Sequence, residues 1–162
     1  MGINIKSISL QLDEVQSPDP EYVATKKALD YWKSVKKPLF VEDLGLTFKA
    51  LNRLPGIYIK DFLQNIGNVG LVKIIPKGKT RRAFAETVLV YYDGKGKPKM
   101  FKGRVVGRIA NKPKGVGFGW DPIFIPDGET RTFGEMELSE KNKYSMRAIA
   151  LKKLQKWLEA QK

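Results

Sequence analysis

The carboxylate pair Glu42-Asp43, with Glu14 upstream as a third acid, is the first place in this sequence where chemistry can be sought. Hard cations such as magnesium take oxygen ligands, commonly one or two carboxylates completed by water and substrate phosphates. The pair follows the apolar run Pro38-Leu39-Phe40-Val41, which predicts a strand with both acids at its C-terminal end, where open α/β sheets bind ligands. A plain turn before Gly45 accounts for the same residues. A second group is Gly115-Val116-Gly117-Phe118-Gly119-Trp120-Asp121-Pro122. Its glycines would let backbone N–H groups approach a ligand, Phe118 and Trp120 offer flat faces for a base, and Asp121 could bond the base edge. A structural glycine-rich turn would look the same. The third group, Glu140-Lys141-Asn142-Lys143-Tyr144-Ser145-Met146-Arg147, reads as a helix start that attracts anions. There Lys141 and Ser145 share one face and Arg147 presents a fork of donors. A solvated helix start is the alternative.

Composition narrows the chemistry. The 162 residues include no cysteine and no histidine, which excludes disulfides, thiolate nucleophiles, Cys/His zinc sites and His-based triads. Carboxylates, lysines, hydroxyls and hard metal ions remain. Hydrophobic residues at 42% and charged residues at 29% are ordinary for a globular chain of one domain. The net charge of +13 draws anions, whether nucleic acid, anionic membrane or small polyphosphates. The lysines are spread along the chain, as at Lys26-Lys27, Lys36-Lys37 and Lys152-Lys153. No apolar run approaches the roughly 20 residues that span a bilayer, and the first residues lack a signal-peptide apolar region, so a cytoplasmic protein is expected.

The elements that would position these groups follow from pattern. Ile3 to Leu12 alternates as a strand. Asp19 and Pro20 mark a helix start, with Val23, Ala24, the aliphatic stem of Lys27, Ala28, Tyr31 and Trp32 as the apolar stripe of a helix over 20–35. Ile57 to Ile66 predicts a helix stopped by Gly67, with a second short helix over 69–75. Two β-branched and aromatic runs, 82–92 and 99–109, flank a Gly-rich turn and predict a hairpin, so the sheet is at least partly antiparallel. Pro122 to Pro126 predicts a short strand. Ser139 is the expected cap of a long last helix that buries Ile149, Leu151, Leu154, Trp157 and Leu158.

The groups occur in an order that resembles the inosine triphosphate pyrophosphatase family, also called Ham1-like. The strings that carry the resemblance are Val41-Glu42-Asp43-Leu44-Gly45-Leu46, Leu54-Pro55-Gly56-Ile57-Tyr58-Ile59-Lys60, Gly117-Phe118-Gly119-Trp120-Asp121-Pro122, Pro126-Asp127-Gly128 and Glu140-Lys141-Asn142. The resemblance implies a mixed α/β fold with a long twisted central sheet flanked by helices, in a homodimer. It implies magnesium-dependent hydrolysis of non-canonical purine nucleoside triphosphates (ITP, dITP, XTP) to the monophosphate and pyrophosphate. It further implies Glu14, Glu42 and Asp43 at the metal, with Glu42 and Asp43 catalytic and Asp43 the candidate base. Lys26, Lys60 and Lys141 would contact phosphates, while Phe118, Gly119, Trp120, Asp121, Ser145 and Arg147 would line the base pocket. The expected partner is a small-molecule nucleoside triphosphate, with no membrane and with nucleic acid the lesser expectation. Two departures stand out. The family's opening strand and Thr-x-Asn-x-x-Lys phosphate loop are not found, which suggests a truncated start or a reduced variant, and Met146 stands where the family has histidine. A thioether cannot donate to a purine carbonyl. A nucleotide-binding remnant without turnover and a basic nucleic-acid-binding module are the alternative functions.

Overall fold

The computed structural model describes residues 5–161. Its frame is a five-stranded sheet in the order β2-β1-β3-β4-β5, formed by β1 (Leu39–Phe48), β2 (Pro55–Gly56), β3 (Arg82–Tyr92), β4 (Lys99–Ile109) and β5 (Phe124–Pro126). Every pairing is antiparallel. The 82–92 and 99–109 hairpin is present as read from the sequence, because its Val, Tyr, Phe and Thr residues suit a pleated, half-buried surface. The helices are α1 (Pro20–Val35), α2 (Ile59–Lys73), α3 (Leu138–Tyr144) and α4 (Met146–Glu159). No helix among the described residues is long and apolar enough to cross a membrane.

The two faces of the sheet carry different helices, and strand alternation sorts the residues between them. Ala24 and Ala28 of α1 pack on Val41, Val88 and Val90, whereas Ala150 and Leu154 of α4 pack on Leu89, which points the other way. The small residue Gly103 of β4 lets α4 lie close, since a Cβ there would collide with the Met146 carbonyl. The largest core joins Leu46, Phe48, Leu71, Trp120, Phe124, Phe133 and Met146. Full burial of each such side chain contributes about 1.5–3 kcal/mol.

α1 starts where the sequence places it. The Asp19 carboxylate accepts from the backbone N–H of Glu21 at 2.9 Å, Pro20 occupies the first turn, and Lys36 ends the helix in the left-handed region at φ 52°.

Three sequence expectations differ from the structure. Residues 5–17 form no strand, and the first residues of the expected 3–12 strand lie outside the described residues. Leu10 is tied instead by its carbonyl, which accepts from the Tyr31 hydroxyl at 3.4 Å. Glu42 and Asp43 do not end a strand, because β1 continues through them to Phe48, with Glu42 opposite Leu89 and Asp43 opposite Val88. The expected stop at Gly67 is met, since its non-helical backbone (φ 61°, ψ −177°) kinks α2 there into two helical pieces. Ser139 caps nothing: Glu137 begins α3 in a capping box with Glu140. The last helix is then broken at Ser145, whose extended backbone starts α4.

Candidate active site

β1 separates the acidic pair, since neighbouring residues of a strand point to opposite faces. Asp43 lies on the α1 face. Its Oδ1 is 3.7 Å from Lys27 Nζ, and Lys27 Nζ is 2.8 Å from Glu14 Oε1. Tyr31 donates to Glu14 at 3.3 Å. Lys27 thus bridges the carboxylates but satisfies Glu14 first, and the titrations follow this asymmetry. Burial alone would raise the Glu14 carboxyl, yet the Lys27 ammonium, Tyr31 and the charge of Lys60 together hold it below its ordinary value. For Asp43, burial dominates and, with the charges of Glu14 and Glu42, pushes the carboxyl above its ordinary value despite Lys27. Burial would depress Lys27, but its two acidic neighbours hold its ammonium charged to higher pH than usual. Asp43 Oδ2 is buried and has no hydrogen-bond partner, an arrangement that normally costs stability.

Asp43 lines a cleft of about 440 Å³ on this face, with Asp19, Gly45, Thr47, Arg53 and Glu86 among its walls. Lys60, in the first turn of α2, is exposed. Lys26 is turned away, with Asp30 as its neighbour at 4.0 Å. The lysine that the sequence reading passes over is Lys27, counted there only for its aliphatic stem.

Glu42 lies on the α4 face, where its Oε1 accepts from Arg147 Nε at 2.7 Å. The expected trio Glu14, Glu42 and Asp43 is therefore not assembled, and among the described residues no three acidic side chains converge as a metal cluster. Glu14 and Asp43 do share a locus, and the unpaired Asp43 oxygen fits a hard cation that takes its remaining ligands from water and phosphate.

The glycine-rich turn is organised around Asp121, which is almost fully buried. Its Oδ2 accepts from the Phe118 N–H at 2.9 Å and from Lys141 Nζ at 2.6 Å. Gly117 is needed here, because a Cβ would sit 2.7 Å from the Asp121 side chain. Asn68 donates to the Gly119 carbonyl at 3.0 Å and ties the turn to α2. The two aromatic residues part company: Phe118 is 80% exposed, whereas Trp120 is 7% exposed and packs edge-on against Phe124. Lys141 and Ser145 do not share a helix face, because α3 ends at Tyr144 and Ser145 is extended. Ser145 is buried and its Oγ accepts from the Ala148 N–H at 3.4 Å. Met146 is buried in the core below. Arg147, one residue into α4, is half exposed and feels the charge of Asp121 as well as Glu42.

The site thus has two halves, a carboxylate and lysine half on the α1 face and an aromatic, Asp-Lys and arginine half on the α4 face. They meet across β1. On its β2 side, β1 is paired only at Leu46 and Thr47, so among the described residues no strand covers the edge beside Glu42 and Asp43.

An antiparallel sheet with helices on both faces, a cleft beside Asp43 on one face and the Asp121–Lys141 and Glu42–Arg147 pairs on the other define a mixed α/β protein. The chain belongs to the Ham1 family, whose family model matches residues 2–157. It is 40% identical to the dITP/XTP pyrophosphatase of Methanopyrus kandleri over 96% of this chain and 84% of that protein. It is 42% identical to inosine triphosphate pyrophosphatase 2 of Trypanosoma cruzi, over 91% of this chain and 76% of that one. Among solved structures, a HAM1 protein from Coxiella burnetii matches with a TM-score of 0.81 at 28% identity, covering 91% of this chain and 81% of the other. The Staphylococcus aureus Ham1 protein matches with a TM-score of 0.77 at 30% identity, covering 94% and 82%.

Proposed function

We propose that this chain, acting as a single domain, hydrolyses ITP, dITP and XTP to the nucleoside monophosphate and pyrophosphate. The observation that carries the reading is Asp43: a carboxylate on a rigid strand, raised by burial, with one unpaired oxygen, beside Lys27 and Glu14 and lining a cleft. Relatives at about 40% identity bear the corresponding activity in their names.

In this reading Asp43 orients the attacking water and accepts its proton. A base with a pKa brought toward the working pH serves this step best. The water attacks the α-phosphorus, the bond to the bridging oxygen breaks, and pyrophosphate leaves. Charge growing on the leaving group is met by Lys27, which Glu14 already holds in place, and by Lys60 in the first turn of α2. Magnesium would be held by Glu14 and Asp43 and would supply further neutralisation of the phosphates. On the other face, Phe118 is free to stack on a purine. Asp121 fixes the Phe118 backbone and Lys141, and Arg147 donates to a 6-oxo group. An adenine amino group in the same place would face a donor with a donor. The resemblance in the sequence extends the proposal to magnesium as the metal, to a homodimer and to a cytoplasmic setting.

Pyrophosphate release from inosine, adenosine and guanosine triphosphates, with and without magnesium, tests the reading. Magnesium-dependent release selective for inosine triphosphate is expected. Binding of inosine triphosphate without release would contradict it.

A further inference from the structure

We propose that Glu42 is a positioning residue for base selection: it anchors Arg147 through Nε so that the two terminal nitrogens of the guanidinium face the purine 6-oxo group. This rests on the pyrophosphatase reading and deepens it. The two side chains are brought together across 105 residues of sequence at 2.7 Å. Both backbones are held. Glu42 lies within β1, paired to β3 opposite Leu89, and Arg147 follows Met146, whose carbonyl abuts Gly103 of β4. The flexible part is the Arg147 side chain, which is half exposed, and one charged hydrogen bond on Nε fixes its fork without occupying the terminal nitrogens.

Glu42 has a competitor to resist. Asp121 also attracts Arg147, and Lys141 already satisfies that carboxylate at 2.6 Å. Without Glu42 the guanidinium is free to swing toward Asp121 or water, and its donors no longer mark one purine edge. The neighbouring Asp43 points to the opposite face, so this task is separate from the chemical step and from metal binding.

The test uses the full chain and the variants Glu42→Ala, Glu42→Gln, Arg147→Ala and the double Glu42→Ala/Arg147→Ala, each checked for an unchanged melting profile. The readout is kcat and KM for inosine and adenosine triphosphates. Loss of one charged hydrogen bond should lower the inosine-to-adenosine ratio of kcat/KM by about tenfold in Glu42→Ala, mainly through KM, with kcat within about threefold. Glu42→Gln keeps an oxygen acceptor and should recover most of the ratio. In the Arg147→Ala background Glu42→Ala should add nothing. Manganese binding, followed by electron paramagnetic resonance, should be unchanged in Glu42→Ala. An unchanged ratio, an additive double variant or lost manganese binding overturns the inference alone. A wild-type chain with no preference for inosine triphosphate overturns the function and this inference together.

Discussion

Lys27 Nζ lies 3.7 Å from Asp43 Oδ1, close enough to feel its charge but beyond hydrogen-bond length, because the same ammonium is bound to Glu14 at 2.8 Å. This incomplete pairing leaves Asp43 a buried carboxylate raised in pKa. It also places the Lys27 ammonium beside the proposed base. Lys27→Met should lower kcat/KM for inosine triphosphate by about 100-fold, the usual scale for one preorganised charge-stabilising donor. Lys26→Met, which loses only a long contact to Asp30, should lose less than about threefold, as surface substitutions do. Steady-state kinetics of the two variants checks the contrast.

Asp43 should also shape the pH dependence of stability. Burial holds its folded-state pKa above the unfolded one, so between those two values the folded chain binds the extra proton. Stability from this group is therefore present at low pH and falls as pH rises through that window. In chelator, Asp43→Asn should remove this fall and be more stable than the wild type at neutral pH. Urea unfolding of both chains at several pH values measures the difference.

The buried Asp121–Lys141 pair gives a stability prediction. Lys141→Met strands a carboxylate whose side chain is 9% exposed, and removing one partner of a buried pair costs about 3–5 kcal/mol. Asp121→Asn/Lys141→Met should recover part of that loss. Denaturant midpoints report both.

Phe118 and Trp120 separate binding from folding. Trp120→Ala should destabilise by about 3–5 kcal/mol, since the ring fills the core. Phe118→Ala should change stability by less than about 0.5 kcal/mol, as an exposed residue. It should raise KM through the stacking it loses, worth about 1–3 kcal/mol. Melting curves and KM values for the pair decide this.

The sequence revealed most where a local rule has no rival. Asp19 and Pro20 fix the start of α1, and alternating β-branched residues fix the β3–β4 hairpin. It misled where tertiary partners decide. Two acids in mid-strand contradict strand propensity, so Glu42-Asp43 looked like a strand end. Only Lys27 on one face and Arg147 on the other make their burial tolerable. Ser145 carried a readable cap signal before the apolar run of α4, but the polar residues of α3 continued the helical pattern through it. Phe118 and Trp120 look alike as aromatic residues in a glycine-rich turn, and only packing against Phe124 and Phe133 assigns Trp120 to the core. The pairing of Glu42 with Arg147 had no local signal at all.

Asp43 is proposed to drive the hydrolysis of the triphosphate. Pyrophosphate release from inosine triphosphate by the wild type and by Asp43→Asn, side by side in magnesium, tests it most directly. The wild type should turn over, and Asp43→Asn should fold yet lose about 100-fold or more in kcat, the scale of a missing general base. A folded Asp43→Asn chain with wild-type turnover, or a wild type that releases no pyrophosphate, would contradict the account.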